Sequence, residues 1–311
     1  MKKILYSIVL IFLPVIVAFM LIPVEKRSRY AGLKDDCFNH AIWIHDRLYM
    51  NEKSVDIAFI GSSHTVNGIN DKLIENSLKT ENTSVANFGY CRLGRNLSYT
   101  LIKEIYKKKK PKVIVIEVLE DEDRYSHPIF PYIAETRDIF APALLFNPDI
   151  ATDIREAILF KLTLIQQFLF PAGEKIPVNN EAFGFACSPD TAAIETLQEI
   201  KIKRHRSDPE MPAMERNFYM NFPRSYLKKI AEMCKIQNTK LIFLYLPGYG
   251  AQAVVPKENA TYMRYGEVLI PPDSITANIS YWKDEDHVNQ AGAASLSRWI
   301  AEELNVKLKP K

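Results

Sequence analysis

The spacing of apolar positions changes along this chain, and each change predicts a different element. From Ile4 to Val24 they are almost continuous, broken by Tyr6, Ser7 and two prolines. Such a run reaches the roughly 20 residues needed to cross a bilayer. Lys2 and Lys3 precede it; Lys26, Arg27 and Arg29 follow it. A cleaved signal peptide has a shorter apolar core, about 7–15 residues, ending at a small-residue cleavage site. Leu21-Ile22-Pro23-Val24 is a poor site of that kind. The reading is an uncleaved, membrane-spanning anchor over residues 1–30, with a cleaved signal as the alternative. Basic residues on both flanks say little about orientation. No second run of that length follows, so a single-pass protein with residues 31–311 outside the cytoplasm is expected.

Beyond the run, short apolar strands alternate with helical periodicity. Val55 to Ile60 reads as a strand ending in the small-residue turn Gly61-Ser62-Ser63-His64. Asn70 is a helix N-cap and Ile69 with Ile74 a hydrophobic staple, for a helix through Leu78. Ser84 to Asn87 is a short strand. Leu97, Leu101, Ile102, Ile105 and Tyr106 recur at helical spacing, and the tetralysine Lys107–Lys110 with Pro111 closes that helix. Lys112 to Ile116 is a run buried on both faces. Towards the C-terminus, Tyr226, Leu227, Ile230 and Cys234 mark a helix, Leu241 to Leu246 a buried strand and Glu267 to Ile270 a last strand. Leu296, Trp299, Ile300 and Leu304 mark a final amphipathic helix. This alternation predicts an α/β domain whose parallel sheet is covered by helices on both faces.

Residues 125–222 break the rhythm and read as a mostly helical insertion. Ala157 to Phe170 is strongly apolar, but Lys161, Gln166 and Gln167 interrupt it, and it is too short to span a membrane. It reads as a core helix or, alternatively, as a surface that docks on a membrane partner. The basic run Lys201 to Arg206 is a solvated face by default; binding an anionic polymer is the sharper alternative.

Composition adds mainly exclusions. Of 311 residues, 47% are hydrophobic and 25% charged, which excludes wholesale disorder. Forty Lys and Arg against 37 Asp and Glu leave a net charge of +3, too balanced to argue for nucleic acid. Cys37, Cys91, Cys187 and Cys234 are scattered without a CxxC, so neither a disulfide scaffold nor a zinc ribbon is expected.

The candidate chemistry lies in two places. Ser63 sits just past the first strand, at the edge where open α/β sheets bind ligands. The N–H groups opening the next helix can stabilise an oxyanion there. Asp284-Glu285-Asp286-His287 lies just before the last helix. Asp284 and His287 can face each other across one turn, supplying a base and its orienting carboxylate for Ser63. Taken alone, the two are an ordinary strand-to-helix turn and an acidic capping loop. His64 lines the site rather than acting as base. His127 shows no partner. Glu117, Glu120, Asp121, Glu122 and Asp123 read as a solvated acidic edge or a second acid pair. His40 and His45 are off the spacing of a helical metal pair, and no phosphate loop is present, so neither metal nor cofactor is expected.

Together the two elements resemble the SGNH (GDSL-like) hydrolase superfamily. Gly61-Ser62-Ser63 matches its nucleophile block with Ser in place of Asp, and Asp284-x-x-His287 matches its last block. The likeness covers residues 55–120 and 225–305. It implies an SGNH-like, flavodoxin-like sheet with Ser63, Asp284 and His287 catalytic. It also implies an oxyanion hole from Ser63 and a glycine of the segment Asn87–Asn96, either Gly89 or Gly94, with Gly94 slightly favoured. The family's third block places an Asn after the third strand; Val118 to Arg124 has none, so Arg92 or Arg95 is the expected replacement donor. His64 and Asn87 are expected to line the substrate site, and Lys203, Arg204 and Arg206 to hold a polyanionic acceptor.

With the anchor, Ser-Ser-His is most similar to cell-envelope branches, the D-alanyl-lipoteichoic acid transfer and alginate-type O-acetylation proteins. That similarity implies acyl transfer to an envelope polysaccharide or teichoic-acid-like polymer, beside a membrane-bound O-acyltransferase. The alternative is a non-catalytic accessory protein that keeps the fold to bind polymer or that partner.

Overall fold

The computed structural model describes residues 24–308 except 35, 81, 141–146, 171–175 and 206–211; before residue 24 it describes only Pro14, Ala18 and Ile22. The apolar run expected to span a membrane therefore lies almost wholly outside the described residues. No described helix is long and apolar enough to cross a membrane.

Strands β1 (Ile57–Ile60), β2 (Val85–Asn87), β3 (Val113–Val118), β4 (Lys240–Tyr245) and β5 (Glu267–Leu269) form one sheet in the order β2-β1-β3-β4-β5. Every neighbouring pair is parallel. This is the flavodoxin-like order. Its strand sequence reverses between β1 and β3, and the crevice at the carboxyl ends of those two strands is where such sheets bind ligands.

Alternation along each strand divides the core into two layers. Ala58, Ile60, Ile114, Ile116, Leu241 and Phe243 point to one face. There they meet Trp43 and Ile44 of the helix His40–Tyr49, together with Leu101 and Leu227.

 Here α1 is His40–Tyr49 and α2 is Ser63–Gly68, while Leu101 belongs to α4 (Arg95–Lys108) and Leu227 to α7 (Ala213–Ile236). Ile57, Phe59, Val113, Val115, Ile242 and Leu244 point to the other face, against Ile74 of α3 (Asp71–Ser77) and Leu296, Ile300 and Leu304 of α8 (Gln290–Lys307). Asn70 caps α3 as expected, its Oδ1 accepting from Leu73 N at 2.9 Å.

The packed part of the chain begins before residue 31. The short helix Lys26–Ala31 lies on the domain, with Lys26 Nζ 2.6 Å from Glu104 and Arg27 forked onto Asp46 at 3.0 Å. Lys26 and Arg27, which follow the apolar run, are therefore ion-paired to the domain, not a free linker.

The insertion differs from its expected outline in three ways. Its C-terminal limit at 222 falls inside one continuous helix, because α7 runs through Pro223 to Ile236. Residues 176–193 have almost no regular structure but are pinned along their length. Arg47 donates to Ala182 O at 2.9 Å, Gly184 N to Asp71 at 2.9 Å and Ala186 N to Val66 O at 3.1 Å, and Ala192 N donates to Trp282 O. They form a strap across α2. Finally, the apolar helix α5 (Ile150–Leu169) is not a core helix: its only buried residues are Asp153, Ala157 and Leu164.

Candidate active site

The turn that presents Ser63 is held from the neighbouring strand. After β1 the chain passes Gly61 and Ser62 and enters α2 at Ser63. Ser62 is the N-cap, its Oγ accepting from His64 N at 3.1 Å. The same Ser62 donates its N–H to Glu117 Oε2 and its hydroxyl to Glu117 Oε1, both at 2.6 Å. Thr65 Oγ1 donates to Oε2 at 2.5 Å. Glu117 lies on β3 with 1% of its surface exposed. A carboxylate so buried is costly unless its oxygens are hydrogen-bonded, and three donors from Ser62 and Thr65 meet that need. A side chain at Gly61 would overlap Thr65 Oγ1 and the Glu117 carboxylate, so this close approach requires glycine. The result leaves Ser63 half-buried at the mouth of the β1–β3 crevice.

The second element arrives from the loop before α8. Trp282 and Val288 form an antiparallel bridge that closes it, and Lys283 N donates to His287 O at 2.9 Å. Within the closed loop, Asp284 Oδ1 accepts from the backbone N–H of both Asp286 and His287, at 2.9 and 2.8 Å. His287 Nδ1 lies 2.8 Å from Asp284 Oδ1, and His287 Nε2 lies 2.7 Å from Ser63 Oγ. With Nδ1–H donating to the carboxylate, Nε2 carries the lone pair that accepts the Ser63 proton. Burial favours the neutral Asp284 carboxyl. The N–H groups of Asp286 and His287 and the facing imidazole outweigh it and hold the carboxyl below its ordinary value. Three side chains from positions 63, 284 and 287 thus form one chain of hydrogen bonds, hydroxyl to imidazole to carboxylate, the arrangement that a nucleophile, a base and an orienting carboxylate require.

His64 stands beside this chain. Its Nδ1 is 3.2 Å from Leu246 O, and its ring meets the His287 ring edge-on at 5.4 Å between centroids. It flanks the base.

Two of the oxyanion donors expected from the segment after β2, Gly89 and Arg95, are engaged elsewhere. Gly89 N donates to Asn87 Oδ1 at 2.9 Å. Asn87 is wholly buried and donates through Nδ2 to Thr65 O and Ile69 O at 2.8 and 2.7 Å, so it braces α2 and does not line a substrate site. Gly94 is backed against His127, whose Cβ a side chain there would overlap. Arg95 is wholly buried and forked onto Glu122 at 2.6 and 2.9 Å, a pairing that removes it from the candidate donors. Arg92 is exposed and takes a left-handed backbone, φ 65°. The preceding Cys91 is joined to Cys37 by a disulfide. Ser63 opens α2, so its N–H has no partner within that helix.

Two groups escaped the reading of the sequence. Glu117 and Glu122 are buried and paired, not part of a solvated acidic edge; Asp121, beside them, is bridged by Arg216 and Lys257. An acid inside the apolar strand Val113–Val118 was the available signal, because a buried carboxylate demands partners. His127, which showed no partner, is buried with Nε2 2.7 Å from Cys91 O, while Nδ1 accepts from Ile129 N at 3.2 Å. Burial lowers its pKa to about 4, so the ring is neutral and fixed as the Nε2–H tautomer.

The basic run reaches the site by another route than expected. Arg204, on α6 (Ile194–His205), pairs with Asp286 at 2.6 Å, next to His287. Lys203 is exposed, and Arg206 lies outside the described residues. Lys201 of the same helix lines an open cleft of about 870 Å³ with Tyr245, Pro247, Tyr249 and Gln252. Among the described residues, no group of three or more His, Cys, Asp or Glu side chains is arranged to hold a metal ion. Compared with known proteins, the chain matches no family model and no curated protein.

Proposed function

We propose that this chain is a membrane-anchored serine O-acyltransferase or esterase of the SGNH type, acting outside the cytoplasm on an envelope glycopolymer. The observation that carries the reading is the contact from Ser63 Oγ to His287 Nε2 at 2.7 Å, with Asp284 behind the imidazole. Ser63 Oγ attacks the acyl carbonyl of the donor while its proton passes to Nε2 of His287. Collapse of the tetrahedral intermediate breaks the bond to the donor oxygen, which takes that proton, and leaves an acyl-serine. His287 then removes the proton of an acceptor hydroxyl, which attacks the acyl-serine; Ser63 recovers its proton from His287. A sugar hydroxyl as acceptor gives transfer, and water gives hydrolysis. Asp284 keeps the imidazole in the working tautomer and stabilises it when protonated. The Ser63 N–H is one oxyanion donor.

The Cys37–Cys91 disulfide supports the compartment, since disulfides persist mainly in oxidising environments. A membrane-bound O-acyltransferase is the proposed source of the acyl group, and the cleft lined by Lys201 the proposed seat of the polymer. A second reading, a non-catalytic accessory protein, is favoured by one observation. The stretch after β3 offers ion-paired Glu122 and Asp121 where the resembled family carries an amide donor. Cells carrying Ser63→Ala in place of the natural chain separate the two. Loss of polymer acylation to the level of a deletion supports the enzyme, and retained acylation supports the accessory.

A further inference from the structure

Helix α5 carries several large apolar side chains outward, although Leu164 is buried. Leu159 at its middle, Leu162, Phe168 and Leu169 beyond it and the C-cap residue Phe170 are 50, 48, 83, 61 and 73% exposed. Its N-terminal half is polar, with Asp153, Arg155 and Glu156, whereas from Ala157 onward Lys161 is the only charged residue. Contiguous exposed apolar surface of this kind marks an interaction site rather than ordinary surface.

The place where the N-terminal run meets the domain says what covers it. Ile22 and Val24 form one side of a groove of about 260 Å³, and Ala157, Phe160 and Leu164 of α5 form the other. Gly32, just after the helix Lys26–Ala31, packs against the Phe160 ring. There is almost no slack between that groove and the fold. Residue 26 is already ion-paired to Glu104 and residue 27 to Asp46. An apolar run that crosses a bilayer and ends at Val24 therefore brings the membrane surface to α5 itself. Arg29 and Lys161 also line the groove, at the level where cationic side chains meet lipid headgroups.

We propose that the C-terminal half of α5 lies in the interface of the same bilayer that holds the N-terminal run, with Leu162, Phe168, Leu169 and Phe170 inserted among the lipids. An amphipathic helix with one apolar face binds a membrane in this orientation. The domain is then clamped to the membrane by two elements instead of swinging on one. The proposal rests on the membrane-anchored reading and adds to it the second contact.

The test uses the full chain reconstituted into phosphatidylcholine–phosphatidylglycerol vesicles, with and without bromine in the lipid acyl chains. Three single variants are compared after subtracting the emission of the natural tryptophans: Phe168→Trp, Phe12→Trp within the apolar run, and Val306→Trp on the exposed end of α8. The expected result is a blue shift and loss of emission in brominated vesicles for Phe168→Trp and Phe12→Trp, with Val306→Trp unchanged. If Phe12→Trp is quenched while Phe168→Trp behaves as Val306→Trp, the anchor stands and the α5 proposal is overturned. A blue-shifted Phe168→Trp that brominated lipid does not quench means that protein covers the face, and also overturns it. If neither Phe12→Trp nor Phe168→Trp is quenched, the anchor reading fails and the proposal fails with it.

Discussion

Ser62 gives both its N–H and its hydroxyl to the Glu117 carboxylate, so the residue before Ser63 is fixed by the neighbouring strand. Ser62 occupies the position where the resembled family has Asp. A second acid there would face Glu117 across a buried contact and be repelled. Serine at 62 and Glu117 are therefore complementary.

Replacing Glu117 with Ala leaves Ser62 N–H, Ser62 Oγ and Thr65 Oγ1 without their acceptor. Buried donors left unpaired cost about 1–3 kcal/mol in stability. A nucleophile displaced by even an ångström loses rate on the order of 100-fold. Urea unfolding and the rate of Ser63 labelling by a serine-reactive phosphonate check both. A Glu117→Ala protein that labels at the natural rate would mean that the turn holds Ser63 unaided.

Arg204 and Lys201 belong to one helix but predict different kinetic outcomes. Arg204 is tied to Asp286, beside the base, so Arg204→Ala should lower small-ester hydrolysis and polymer transfer together. Lys201 lines the cleft without a bond to the loop of the base. Lys201→Ala should weaken polymer transfer and spare the small ester. The loss should resemble that produced by added salt, which screens exposed charges. Equal effects of the two variants on both assays would refute this division.

The expected strands and the Asp284–His287 spacing were legible because each depends on residues close together in the chain. Glu117 was not. Its donors lie 55 and 52 residues away, and only the pairing of β1 with β3 brings them within reach. Arg204 meets Asp286 across 82 residues, which is why the basic run looked like a solvated or polymer-binding face. Arg95 is likewise taken up by Glu122, 27 residues away. For α5, the apolar content was plain in the sequence, but periodicity cannot say whether an apolar stripe faces a core or an exposed surface.

His127 ties stability to pH. Folding lowers its pKa from an ordinary 6.5 to about 4, by burial. The folded state therefore prefers the neutral ring. The stability this group supports is complete above pH 6.5 and is lost as pH falls towards 4, where the unfolded chain takes up a proton that the folded chain refuses. The loss is up to about 3 kcal/mol. His40, lowered to about 4 by burial as well, acts in the same window. In urea unfolding across that range, His127→Gln should be less stable near neutral pH but lose stability less steeply. An unchanged slope would show that His127 does not titrate as described.

The central claim is that Ser63 is a nucleophile activated by His287. The most direct measurement is the labelling rate of the full-length protein by a fluorophosphonate, with the modified residue located by peptide mass spectrometry. Labelling should fall on Ser63 and vanish in Ser63→Ala. It should slow by several orders of magnitude in His287→Ala, because removing the base of such a triad costs about as much as removing the nucleophile. Absence of labelling in a folded protein, or labelling at a residue other than Ser63, would contradict the account.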